Sequence, residues 1–172
     1  DKEWVKFREL PSGDFVAGYR SEDTSGYVFG LWDGLTWESL GEDKIGCQEA
    51  SNYLDFEAYS DDSIGFPTLY GAWSPVLYQG TVGDRDMLAP TFLNDAAYSA
   101  GHTSIAVGSG DETHIAYNLP FDGILVYQTL DAGVLSEETI VDNGAGGSGT
   151  RNYSPIVAAS GDQMYVFHND IA

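Results

Sequence analysis

A short turn recurs along this chain at nearly constant phase. It reads Ser12-Gly13-Asp14, Ser60-Asp61-Asp62, Ser109-Gly110-Asp111 and Ser160-Gly161-Asp162. The serine-to-serine spacings are 48, 49 and 51 residues. A strand-like run precedes each turn, over 5–10, 54–59, 104–107 and 155–159, and another follows it, over 15–19, 63–66, 113–117 and 163–168. Further strand-like runs occupy 27–32, 76–79 and 124–129, then 36–40, 87–92 and 135–141. Asn52-Tyr53 and Asn152-Tyr153 precede their turn serines by eight and seven residues, and His102 stands where the tyrosines stand. Four short strands per unit, repeated every forty to fifty residues, is the pattern of a β-propeller blade. A β-sandwich also spaces its strands at eight to twelve residues, but nothing in it requires one turn at one phase four times.

The expected fold is therefore all-β: a single partial propeller over 1–172 of about 3.5 four-stranded blades of ~49 residues. The blades are expected at about 4–41, 52–93 and 102–142, with a half blade at 152–172. Propellers usually carry about four to eight blades. Three and a half do not close a ring and would leave strand edges and an apolar face open. The ring is accordingly expected to be completed by a second chain, a homodimer partner or a missing segment. Two such chains would total seven blades.

Composition agrees with a β-protein and narrows the partners. Gly contributes 21 residues and aromatics 13% of the chain, as strands joined by tight turns require. With 27 Asp and Glu against 7 Lys and Arg, the net charge is −20. Nucleic-acid binding draws on cationic neutralisation of phosphates, so it is not expected here. No apolar run is long enough for a membrane helix, so no membrane insertion is expected. The single cysteine, Cys47, excludes an intrachain disulfide. Acidity, one cysteine and a first residue other than Met suggest an extracellular or cell-surface protein, or a periplasmic one.

Asp33, Gly34, Thr36 and Trp37, within the run 27–37, resemble the Asp-box turn (Ser-x-Asp-x-Gly-x-Thr-Trp) of bacterial sialidase-like β-propellers, one residue shorter and without its leading serine. Asp131-Ala132-Gly133 takes the same place in the third unit, and Gly83-Asp84-Arg85-Asp86 in the second. The resemblance implies a structural turn: Asp bonding turn amides, Gly at positive φ and Trp packing between blades. It names no substrate. The arginine triad and Tyr/Glu pair of sialidases are not apparent among Arg8, Arg20, Arg85 and Arg151.

In a propeller the first strand of each blade lines the channel. The fourth-to-first and second-to-third connections form the usual binding face. The phase of the repeat puts Arg20, Asn52, Tyr53, His102, Asn118, Arg151, Asn152, Tyr153 and His168 at that channel mouth. Amides beside aromatic rings suit a glycan, since amides bond hydroxyls and rings cover a pyranose face. The same residues also suit turn capping and packing between blades. His102, His114 and His168 show no metal-ligand spacing. Calcium is conceivable at Asp61 and Asp62 or at Asp84 and Asp86, without the pattern of a twelve-residue calcium loop. No nucleophile elbow, zinc helix or phosphate loop occurs. The expected function is thus a non-catalytic extracellular module that binds a protein or glycan, or forms part of a larger surface assembly. The alternative is a polysaccharide hydrolase or lyase whose site is shared with the missing blades.

Overall fold

A computed structural model of the chain describes residues 2–21, 26–43, 54–70, 74–81, 90–94, 102–119, 124–142, 155–161 and 163–168. Among these, every regular element is a β-strand, and the strands form four antiparallel sheets in chain order. The first sheet joins β1 (Lys2–Glu9), β2 (Phe15–Ser21), β3 (Gly26–Trp32) and β4 (Trp37–Asp43), each beside the next. The second repeats that order with β5 (Glu57–Ala58), β6 (Ser63–Tyr70), β7 (Ser74–Thr81) and β8 (Thr91–Phe92). In the third, β9 (Thr103–Val107), β10 (Thr113–Leu119) and β11 (Ile124–Asp131) are followed by two short strands, β12 (Val134–Leu135) and β13 (Thr139–Asp142). Both pair with β11. The last sheet is the hairpin of β14 (Ile156–Ser160) and β15 (Gln163–Phe167).

The sheets stack face on face because strand alternation gives each one two usable surfaces. Val16, Tyr27 and Phe29 of the first meet Phe56, Ile64, Phe66, Val76 and Tyr78 of the second. Phe29 sits edge-on to Phe56, with ring centroids 5.5 Å apart at 87°, and Phe66 stacks on Tyr78 at 5.3 Å. Leu69 and Leu77, on the other face of the second sheet, join Ile105, Ile115, Tyr117 and Val126 of the third. Ala106, Ala116 and Leu125 then meet Val157, with Met164 and Val166 beside them. Strand β10 lies between neighbours on both faces, so all seven of its residues are buried. Strand β15 alternates exposed and half-buried residues, as a strand covered on one face does.

The two ends of the stack are open. Phe7 is 58% exposed, and Val5 and Phe15 are exposed on the same face of the first sheet. Forty-nine residues further on, the equivalents Leu54, Phe56 and Ile64 are all buried against that sheet. At the other end Ile156, Tyr165 and Phe167 are exposed together, with Ile156 paired to Phe167 across the hairpin.

The recurring turns have a common design in three sheets and a different one in the fourth. Leu10 N–H donates to Asp14 O (2.7 Å), Tyr59 N–H to Ser63 O (2.9 Å) and Gly108 N–H to Glu112 O (2.9 Å), closing three-residue loops. The third loop residue has positive φ each time: Gly13 at 90°, Asp62 at 64° and Asp111 at 64°. The structural register is thus a constant 49 residues, and Pro11 rather than Ser12 is the counterpart of Ser60. Matching serines misaligns the first turn by one, because the left-handed position, not the serine, defines such a loop. In the last sheet Ser160 pairs with Gln163, leaving only two residues in the turn.

The Asp-box-like segment forms the turn from β3 to β4. Asp33 Oδ1 accepts hydrogen bonds from the N–H groups of Thr36 (2.7 Å) and Leu35 (2.8 Å), and its Oδ2 accepts one from Thr36 Oγ1 (3.1 Å). These bonds, the Thr36 amide foremost, hold the Asp33 carboxyl below the usual carboxylate range. Gly34 supplies φ of 93°. The Trp37 ring lies over Gly30 of its own sheet, where an added Cβ would come 2.5 Å from the ring. At the corresponding place in the third sheet, Ala132 and Gly133 form a two-residue turn with φ of 46° and 80°.

Candidate functional site

The first strands of successive sheets run side by side, and their polar side chains meet along that edge. Lys6 and Arg8 alternate on β1, so both point the same way. Asp55 and Glu57, forty-nine residues later, alternate likewise beside β5. Lys6 pairs with Asp55 and, at 3.2 Å, with Glu57. Arg8 Nε donates to Glu57 Oε2 at 2.6 Å, and its terminal nitrogen pairs with Glu57 Oε1. The other Asp55 oxygen accepts from Ser104 Oγ (2.6 Å) and Ile105 N–H (2.9 Å) of the third sheet. Ser104 Oγ in turn accepts from Val157 N–H (3.1 Å) of the fourth. One polar network therefore spans four sheets. It lines an open cleft of about 400 Å³, whose apolar wall comes from Leu54, Ile105, Ile156 and Val157.

His102 is the one described residue of the expected channel-mouth set that reaches this cleft. It is half-buried, and burial lowers its pKa from the ordinary 6.5. Its backbone N–H donates to Asn118 Oδ1 at 2.5 Å, and the Asn118 backbone N–H donates back to His102 O at 3.2 Å. Asn118 is fully buried, so this side chain extends the β9–β10 ladder by one rung. His168 is exposed just after β15. Arg20 pairs through its backbone with Glu3 and Tyr27, and its side chain is outside the described residues. Asn52, Tyr53, Arg151, Asn152 and Tyr153 also lie outside them.

The aspartates named for calcium divide similarly. Asp61 Oδ1 accepts from Ser63 Oγ (2.5 Å) and Ser63 N–H (3.0 Å), bonds that hold its carboxyl below the usual range. Asp62 Oδ1 accepts from Ser12 N–H of the preceding sheet at 2.8 Å. Asp111 repeats this on Ser60, taking its N–H at 2.9 Å and its hydroxyl. Asp84 and Asp86 lie outside the described residues, and the described ones include no group of three or more metal-ligating side chains in reach of one ion.

Two further polar groups lie within the sheets. The Tyr117 hydroxyl, fully buried, is 2.8 Å from Gln128 Oε1 and 2.9 Å from Glu138 Oε1; burial and that carboxylate push its pKa far up. His114 Nδ1 lies 2.5 Å from Tyr127 Oη, and its Nε2 lies 3.5 Å from Glu112. The cleft residues Lys6, Arg8, Asp55, Glu57 and Ser104 were not among those expected. Their sequence signal was opposite charge at one phase of the repeat, 6 against 55 and 8 against 57.

No protein-family model matches this sequence, and no curated protein matches it. Solved structures do. Trypanosoma rangeli sialidase in complex with 2,3-difluoro-KDN superposes with a TM-score of 0.57 at 13% identity, covering 94% of this chain and 27% of that one. The same sialidase with the inhibitor DANA gives 0.50 at 14% identity, covering 94% and 28%. The polysaccharide lyase Uly1 gives 0.48 at 11%, covering 98% and 42%, too loose a superposition to build on. What is shared is the fold, a sialidase-like β-propeller arrangement, and this chain spans little more than a quarter of the sialidase's length. Among the described residues no helix is long and apolar enough to cross a membrane.

Proposed function

We propose that the chain is a non-catalytic part of an extracellular β-propeller that binds a glycan or protein partner and whose ring is completed by further blades. The observation that carries this reading is the state of the channel-edge carboxylates. A glycosidase needs two carboxyl groups flanking a substrate bond, one as proton donor and one as base or nucleophile. Asp55 and Glu57 do converge, since both hold the same Lys6 ammonium. Every one of their oxygens, however, already has a partner in Lys6, Arg8, Ser104 or the Ile105 amide. These acids join blades. Completion of the ring is supported by the open faces, where Phe7 is exposed and its counterpart Phe56 is not.

The sialidase likeness favours a second reading, a polysaccharide hydrolase or lyase that shares its site with other blades; one neighbour is a sialidase in complex with sialic acid. One experiment separates the two. The purified chain, alone and with any companion found by native mass spectrometry, is assayed for glycan retention and for polysaccharide turnover. Retention without turnover is the expected result. Turnover abolished by Glu57→Gln or Asp55→Asn in a folded protein would overturn the module reading.

A further inference from the structure

We propose that the cleft along the first strands is a binding site for a neutral pyranose, an inference that rests on the module reading and names its ligand class. Its volume of about 400 Å³ falls in the range of roughly 300–1,000 Å³ typical of small-molecule sites. The polar rim is electrically balanced. The cations Lys6 and Arg8 face the carboxylates Asp55 and Glu57, and all four are engaged in ion pairs. An anionic sugar would set a further negative charge beside Asp55 and Glu57, against the field of a chain with net charge −20. A cationic ligand would set like charge against Lys6 and Arg8. A hydroxyl does neither. It can donate to a carboxylate oxygen with a spare lone pair and accept from an ammonium or guanidinium N–H, so a polyol adds to the network without breaking it.

The geometry suits a ring. Asp55 is fixed by Ser104 and the Ile105 amide, and Glu57 is gripped by Arg8 through both oxygens, so the bonding groups are held in place before a ligand arrives. Ile156, exposed on the cleft and backed by buried Leu54, Ile105 and Val157, offers a surface for the C–H face of a pyranose. Half-buried His102, its charged form disfavoured by burial, lines the cleft without upsetting the balance.

The test titrates the purified full chain with methyl β-galactopyranoside, methyl α-mannopyranoside and N-acetylneuraminate, read by saturation-transfer NMR and calorimetry. At least one neutral glycoside is expected to saturate with a Kd on the order of 1 mM, and N-acetylneuraminate to bind at least about tenfold more weakly. Ile156→Trp, placed on an exposed wall, should weaken the neutral glycoside about tenfold by filling the cleft. Arg8→Gln, which leaves Glu57 its Lys6 partner, gives a second variant should the first misfold. No saturation by either neutral glycoside, equal binding of N-acetylneuraminate, or binding unmoved by both variants would each overturn the site. Those failures would leave assembly with further blades intact. Polysaccharide turnover lost in Glu57→Gln, with neutral glycosides still seated in the cleft, would instead sink the module reading alone.

Discussion

Phe7 and Phe56 occupy the same place in successive blades, and truncating each to Ala measures what a neighbouring blade is worth. Phe56 is 0% exposed, edge-on to Phe29 and under the Lys6 ammonium at 5.8 Å. Removing a buried phenyl ring costs about 3–5 kcal/mol through lost transfer energy and the cavity left behind. The edge-to-face pair with Phe29 puts Phe56→Ala towards the upper end of that range. Phe7 is less than half covered and its surroundings open to solvent, so no cavity forms. Scaling the roughly 1.5–3 kcal/mol of full burial by that coverage gives about 1 kcal/mol for Phe7→Ala. Urea unfolding of the isolated chain, followed by tryptophan fluorescence at several protein concentrations, reads both values. Equal losses from the two variants at every concentration would refute the open-face reasoning, because Phe7 would then be covered within the chain itself. When further blades are supplied, the cost of Phe7→Ala should rise towards that of Phe56→Ala.

Three other outcomes are expected. Asp111→Ala loses both bonds to Ser60 and puts Ala at a φ of 64°, a cost of about 1–3 kcal/mol, whereas Asp111→Asn keeps an acceptor and a tolerated φ and should cost less than about 0.5 kcal/mol in the same unfolding assay. Burial lowers the folded-state pKa of His102 below its unfolded 6.5, so below that pH the unfolded state binds the extra proton; its contribution is complete above pH 6.5 and is lost as pH falls, and His102→Gln should flatten that part of the stability profile. Gly30→Ala forces a Cβ into the Trp37 ring, whose half-exposed indole can swing away, so it should cost about 1 kcal/mol or less, with a red-shifted emission as the ring is lifted off the sheet.

The stack was legible because packing positions repeat by chemical class. Val5, Phe7 and Phe15 recur as Leu54, Phe56 and Ile64, all apolar at a constant 49 residues. The turns were less legible, since serine is a tolerated letter there while the left-handed φ is the requirement, met by Gly13, Asp62 and Asp111. The last turn carries the same Ser-Gly-Asp letters on a two-residue loop. The cleft was less legible still because its ion pairs depend on residues differing from blade to blade. Lys6 becomes Asp55 and then Ser104, and Arg8 becomes Glu57 and then Ala106. A search for sameness passes over a site made of complements. Asn118, expected to face a ligand, instead closes the end of a strand pair, a role that side-chain chemistry alone does not separate from binding.

The turn carboxylates give the stack a direction. Asp62 reaches back to Ser12, and Asp111 reaches back to Ser60, so the second and third sheets each clasp the one before. At the same position in the first blade stands Gly13, which has no carboxylate to extend. Whatever lies against Val5 and Phe7 is therefore joined to this blade without that clasp. In a closed ring such a joint would be the seam: the boundary that parts first under heat or load, and the place where a blade could be admitted or exchanged without breaking any of the others.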